Sequence, residues 1–430
     1  MKHHVLLIGL VWPEPDSSAA GVRMLQIIRS FLEQKYTVSF ACSAARGEYS
    51  YPLENLGVGC HSIILNDSSF DDFITELNPT MVVFDRYITE EQYGWRVTEN
   101  CPNALRILDS EDLHCLRKAR QKAHKENREF TITDLLIEET AKREIACVLR
   151  CDITWIISEF EMEVLKNVFN VDESLISYLP MWVDSVGMLH ATSLQNQTNA
   201  TSLQNQTNAS SLQNQFHQKS HFSFVGNFLH DPNWDAVYFL KKEIWPLIRK
   251  QLPQVELHIY GAYPSQKVLD LHNVKEGFII RGRANNLDEV YESTRVFLAP
   301  LRFGAGVKGK LIEAMLRRVP SVTTPIGAES MHGNLSWNGS IEENPEAFAS
   351  AAITLYTNES KWENAVENGI QLIQSMYIKK DNSFIFKLEE LYDTLKIHRT
   401  QNFMGSLLQH QSLQATKFMS KWIELKNSLK

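Results

Sequence analysis

Residues 296–331, VFLAPLRFGAGVKGKLIEAMLRRVPSVTTPIGAESM, leave this chain little freedom in how it folds. The run 296–299 is apolar and short, as a buried strand is, and Pro300 ends it because proline has no N–H for a sheet ladder. Gly304, Gly306 and Gly309 then make a loop that carries Lys308 and Lys310. A helix is expected from Leu311, and 319–322 returns as a second apolar strand ended by Thr323, Thr324 and Pro325. Strand, glycine loop, helix, strand is a βαβ unit of a parallel sheet. A glycine loop at a helix N-terminus exposes unpaired N–H groups and the positive end of the helix dipole. With two lysines beside it, the loop is a candidate seat for a phosphate or pyrophosphate. Taken alone it also fits an ordinary tight connection.

The literal string decides between those readings. Phe303-Gly304-Ala305-Gly306-Val307-Lys308-Gly309-Lys310, then Glu313-Ala314-Met315, Pro320 and Thr324-Pro325-Ile326-Gly327-Ala328-Glu329, resembles the nucleotide-sugar site of family 4 retaining glycosyltransferases. The resemblance implies an α/β fold of the GT-B type, two Rossmann-like doubly wound domains facing across a cleft. It implies that Glu313 binds the donor ribose and that the loop Gly304, Ala305, Gly306 and Val307 faces the diphosphate and sugar. Gly282 and Arg283, after an earlier strand, join this donor-binding group. Lys310 and Lys308 are the expected catalytic cations, stabilising charge that builds on the leaving phosphate. Three departures stand against the family pattern. Ala305 replaces the usual glutamate eight positions before Glu313, no basic residue occurs in Gly226-Asn227-Phe228, and Arg318-Val319 stands where a glycine usually precedes Pro320. No Asp-x-Asp occurs in the sequence, so no metal held in that manner and no cofactor are expected.

At 430 residues the chain is long enough for two or three domains. A formal net charge of −8 gives no electrostatic case for nucleic acid. The six cysteines lie in the first part of the chain without zinc-like pairing, which fits buried, reduced thiols and a cytoplasmic setting. No secretory leader and no membrane-spanning stretch are expected.

The first domain is expected over 1–188. Its opening strand, 5–9, leads through a loop into an amphipathic helix over 22–34 and a strand over 37–41. That loop lacks Gly-x-Gly-x-x-Gly, which disfavours a dinucleotide there. In the family it resembles, the equivalent loop faces the acceptor, and Gly21 with Arg23 matches the small-residue-plus-arginine pattern. Strands follow at 81–84, 105–108, 153–158 and 176–180. The strand at 105–108 runs into Asp109-Ser110-Glu111-Asp112-Leu113-His114. Asp109, Glu111 and Asp112 with His114 fit an acceptor-side site with His114 as the catalytic base, and also, compatibly, a helix N-terminus capped by Asp109 or Ser110 with Glu111 and Asp112 favouring its dipole.

Residues 189–219 read as a low-complexity linker built on a nine-residue repeat with one leucine per unit, too apolar-poor to order itself. A second Rossmann-like domain over 220–385 carries five strands, and 386–430 is a helical tail. On a helix, Phe418, Trp422, Leu425 and Leu429 share one face bordered by lysines. That face either packs across the first domain or lies on an anionic membrane surface. The expected reaction is retaining transfer of a sugar from a nucleoside-diphosphate sugar to a glycan or lipid-linked acceptor, in glycan or cell-envelope polysaccharide synthesis. Alternatives are a catalytically silent nucleotide-sugar-binding module, a GT-B epimerase or phosphorylase, and, from fold alone, a NAD-dependent dehydrogenase.

Overall fold

The computed structural model describes residues 3–183, 215–284, 286–378 and 382–429. The chain divides into two compact units. One is Met1–Asp16 with Ala20–Pro180 and Asp381–Lys430, and the other is Ser17–Ala19 with Met181–Lys380. Each is built on a wholly parallel sheet.

The first unit holds β1 (His4–Gly9), β2 (Thr37–Cys42), β3 (Gly59–Ser62), β4 (Met81–Asp85), β5 (Leu105–Asp109), β6 (Ile153–Ile156) and β7 (Ile176–Tyr178) in the order β3-β2-β1-β4-β5-β6-β7. Every residue of β4 and β5 is buried, as parallel strands covered by helices on both faces must be. The strand order reverses between β1 and β4, which opens a crevice at their C-terminal ends. There the Leu10 N–H donates to Asp85 Oδ2 at 3.0 Å. Six strands were expected here, and β3 is the addition. Its sequence, Gly-Cys-His-Ser, has no apolar run to announce it.

The second unit holds β8 (His221–Val225), β9 (Leu257–Tyr260), β10 (Phe278–Gly282), β11 (Thr294–Ala299), β12 (Ser321–Thr323) and β13 (Gly339–Ile341) in the order β10-β9-β8-β11-β12-β13. Phe222, Phe224, Leu257, Ile259, Val296, Leu298 and Val322 build its core with Trp245 and Trp362. Both indoles satisfy their N–H, Trp245 on Glu276 O at 2.7 Å and Trp362 on Arg295 O at 2.8 Å. The helix expected to end near Leu240 instead continues from Asp231–Phe239 through a widened π turn, Leu240–Ile244, into Trp245–Gln251. Pro246 cannot donate to the preceding turn and its ring crowds it, so the helix widens rather than breaks. Here too one more strand is present than expected. Packing begins before residue 220: Phe216 is buried in the core, and buried Lys219 donates to Tyr291 O at 2.5 Å. The repeats ahead of them lie outside the described residues.

The C-terminal helices, Ser383–Asp393, Leu395–Gln401 and Phe403–Ser428, belong to the first unit. Phe384 meets Phe31 and Trp155 edge-on, and Arg399 spans Asp152, Pro102 O and Ala104 O. The last helix lies against this unit through polar groups. Ser420 accepts from Arg96, Glu424 accepts from the Ser68 N–H, and Lys417 pairs with Glu99. Phe418, Trp422, Leu425 and Leu429 face solvent, each more than half exposed. The helix packs back, as one reading had it, but not through its apolar stripe. Among the described residues no helix is long and apolar enough to cross a membrane.

Candidate functional site

The strand order of the second sheet reverses between β8 and β11, and the loops leaving those two strands are the glycine loop and Gly226-Asn227. Phe303, Ala305 and Val307 are buried, while Gly306 turns the loop with φ of 64°, a conformation that favours glycine. Lys308 is spent on the loop itself, donating to Ala305 O at 3.1 Å and Gly306 O at 2.5 Å. Thr324 closes the far side. Its hydroxyl donates to Leu301 O and accepts from Gly327 N–H at 3.1 Å.

Lys310 enters the crevice on the first turn of the helix Gly309–Leu316. Its ammonium donates to Asn233 Oδ1 and stands 4.5 Å from the centre of the Phe224 ring. Asn233 is held in turn by donating to Asn227 O at 2.7 Å. A Cβ on Gly226 would sit 2.8 Å from the Asn233 side chain and 3.0 Å from Lys310 Nζ. The space after β8, where the family often has a basic side chain, is thus filled by the ammonium of Lys310. Burial, with Lys308 as a second cation nearby, pushes the Lys310 amine down to about 7.

Glu313 follows one turn later and is partly exposed. Its carboxylate pairs with Arg317 four residues on, and Arg317 also donates to Asp288 at 2.7 Å. Gly282 ends β10 at φ of 74°, and Arg283 lies just beyond it. Asn233 and Arg317 escaped the sequence reading. Arg317 was legible from its spacing to Glu313, whereas nothing marks Asn233 out from the helix start around it.

The acidic cluster of the first unit does not cap the helix as the second expectation had it. Asp109 is not a cap: fully buried, it takes a forked ion pair from Arg23, with Nη2 to Oδ1 at 2.7 Å and Nε to Oδ1 at 2.9 Å. Arg23 also donates to Leu179 O at 2.9 Å. Ser110 donates to Trp155 O and caps nothing. The helix starts only at His114, where Glu144 accepts from the His114 and Cys115 N–H groups at 2.9 and 2.8 Å. The carboxylate favoured by that helix dipole therefore comes from a neighbouring helix, a partner that local sequence cannot show. His114 is itself buried, 3.3 Å from Asp112 Oδ1 and edge-on to Tyr87. Asp112 also pairs with Arg117 at 2.5 Å. Gly21 is fixed by backbone, since a Cβ there would meet Glu14 main-chain atoms at 2.5 Å.

Glu111 is the outlier. Its backbone is left-handed at φ of 61°, and Oε1 is buried with no hydrogen-bond partner among the described residues. Burial, reinforced by the charges of Asp109 and Asp85, pushes its carboxyl up to about 8.

The fold is that of the GT-B glycosyltransferases. It is similar to sucrose-phosphate synthase from Thermosynechococcus elongatus at 13% identity and a TM-score of 0.62, covering 92% of this chain and 99% of that one. HepE of Anabaena, solved with UDP and glucose, matches at 12% identity and the same coverage, with a TM-score of 0.62. TarM of S. aureus matches at 15% identity and a TM-score of 0.53, covering 75% of this chain and 58% of that one. Residues 219–358 match the family model of glycosyl transferases group 1, and that segment holds the glycine loop, Lys310 and Glu313. In sequence the chain is 28% identical over 172 residues to an uncharacterised 44.6 kDa protein in the cps region of Klebsiella pneumoniae. That alignment spans 38% of this chain and 44% of the relative.

Proposed function

We propose that this protein is a glycosyltransferase that moves a sugar from a nucleoside-diphosphate sugar to an acceptor hydroxyl with retention at the anomeric carbon. The observation that carries this reading is the Lys310 ammonium held by Asn233 at the β8/β11 crevice, beside the glycine loop. In this reading the diphosphate lies against the N-terminus of the helix Gly309–Leu316. Lys310 meets the charge that develops as the bond to phosphate breaks, Lys308 shapes the loop, and Glu313 accepts the ribose hydroxyls. Gly304, Ala305, Gly306, Val307, Gly282 and Arg283 border the donor. The acceptor lies with Gly21, Arg23, Asp109, Glu111 and Asp112, where Arg23 and Asp109 are positioning residues. His114, enclosed by Asp112 and Tyr87, is the weakest member of the set.

HepE with UDP and glucose, and TarM with UDP, support a UDP-sugar as the first donor to try. The cps-region relative supports an acceptor in polysaccharide synthesis. The outward stripe Phe418, Trp422, Leu425 and Leu429 supports peripheral contact with the inner face of a membrane, on which a lipid-linked acceptor would be carried. The second reading, a silent nucleotide-sugar-binding module, rests on Ala305, which offers no carboxylate to the sugar. Thermal-shift measurements with nucleoside diphosphates and their sugars, then nucleotide release with and without acceptor, test both. Binding without turnover across donors and acceptors selects the silent module. No binding at all ends the donor-site reading.

A further inference from the structure

At the opposite end of β8 from the glycine loop, His221, Glu256 and His258 bring three ligand atoms within 4.8 Å of one another. His221 opens β8, Glu256 stands one residue ahead of β9, and His258 is the second residue of β9. Five strand residues, roughly 16 Å, separate His221 from Gly226, so this cluster is apart from the donor crevice. The two imidazoles stack at 4.0 Å between centroids, tilted by 27°. His258 Nε2 is 2.7 Å from Glu256 Oε2 and 3.3 Å from Arg281 Nη2. These contacts conflict. If Nε2 carries the proton it donates to Glu256 and offers nothing to the arginine, and if it lacks the proton it faces the carboxylate with a lone pair. A cation in place of the guanidinium resolves the conflict, because the Nε2 lone pair and the carboxylate then point at the same charge. Arg281 is exposed and free to swing out, whereas His258 is buried on the sheet.

We propose that His221, Glu256 and His258 bind one divalent first-row transition-metal ion, of the zinc class. Two imidazoles and one carboxylate are a zinc-type donor set, and a fourth position is left to water. The cysteines do not compete for this assignment. All six belong to the first unit, and five of them are buried.

The test uses the full chain, titrated with Zn²⁺ against a chromophoric chelator. One equivalent should bind, and the Co²⁺ adduct should show d–d bands without a thiolate charge-transfer band. Glu256→Gln keeps a hydrogen-bond acceptor beside His258 and should weaken Zn²⁺ at least tenfold. His221→Asn should do the same, and His410→Asn, an exposed histidine elsewhere, should change nothing. Arg281→Ala should tighten binding, since the competing cation is gone. Absence of a stoichiometric site, a thiolate band, or Zn²⁺ affinity unchanged in both Glu256→Gln and His221→Asn overturns the proposal.

Discussion

Glu111 in the first unit and Lys310 in the second are opposite charges treated alike. Each sits past the C-terminal end of a central strand, and burial drives each toward its neutral form, Glu111 up to about 8 and Lys310 down to about 7. Their surroundings differ. Lys310 has Asn233 as acceptor and the Phe224 ring beneath it, with Lys308 as a repelling neighbour. Glu111 lies among Asp109 and Asp85, with the cations Arg86 and Arg23 only partly offsetting them, and one of its oxygens has no partner among the described residues. A lysine so held gains most from an incoming anion. A carboxyl so held is favoured in its protonated form, in which it donates a hydrogen bond instead of only accepting one.

The contrast is easiest to break at Asp109. Asp109→Ala leaves Arg23 buried without its partner and should cost about 3–5 kcal/mol of stability, read by denaturant unfolding. A loss below about 1 kcal/mol would mean that this pair does not hold the acidic cluster. Next is Lys310→Ala, expected to lower kcat by about a hundredfold or more while donor affinity falls less, because leaving-group charge is greater in the transition state. Equal losses would leave Lys310 as a ground-state anchor only.

Glu313→Gln should weaken donor binding roughly tenfold by calorimetry, through loss of charge-assisted hydrogen bonds. Unchanged affinity with normal folding removes Glu313 from the site. The lysine titration gives a smaller effect. Only the protonated amine attracts diphosphate, so affinity at the site should be level below about pH 6, fall about twofold by pH 7 and roughly fivefold more by pH 8. That slope should vanish in Lys310→Ala.

Glu111 sharpens the comparison with the opposite sign. Its carboxyl is raised in the folded state, so its contribution to stability is complete below about pH 4.5 and is lost as pH rises toward 8. Glu111→Gln, neutral throughout, should melt progressively higher than the parent between pH 5 and pH 8. A gap that does not grow with pH would mean that Glu111 is already ionised.

How much of this was legible depended on whether the signal was local. The apolar strands 81–84 and 105–108 and the loop around Gly306 were found because periodicity and glycine act within a few residues. The strands β3 and β13 were not, since Gly-Cys-His-Ser and Gly-Ser-Ile are strands only because a neighbour pairs with them. The acidic run at 109–114 was visible as a cluster, but its wiring was not. Arg23 reaches Asp109 across 86 positions, and Glu144 reaches the His114 N–H across 30. Lys308 was placed in the loop, but its bonds to the Ala305 and Gly306 carbonyls were not legible, because sequence does not show which carbonyls a loop brings within reach.

The return of the C-terminal helices to the first unit has a bearing on synthesis. Buried Asp152 receives Arg399 at 2.7 Å on each oxygen, and its carbonyl accepts from His398 at 2.8 Å. None of these donors exists while the ribosome is still translating the second unit. The first sheet therefore emerges early yet waits through some two hundred further codons, with Arg106 as the partner of Asp152 in the meantime. The unit begun before the second one is thus finished only after it.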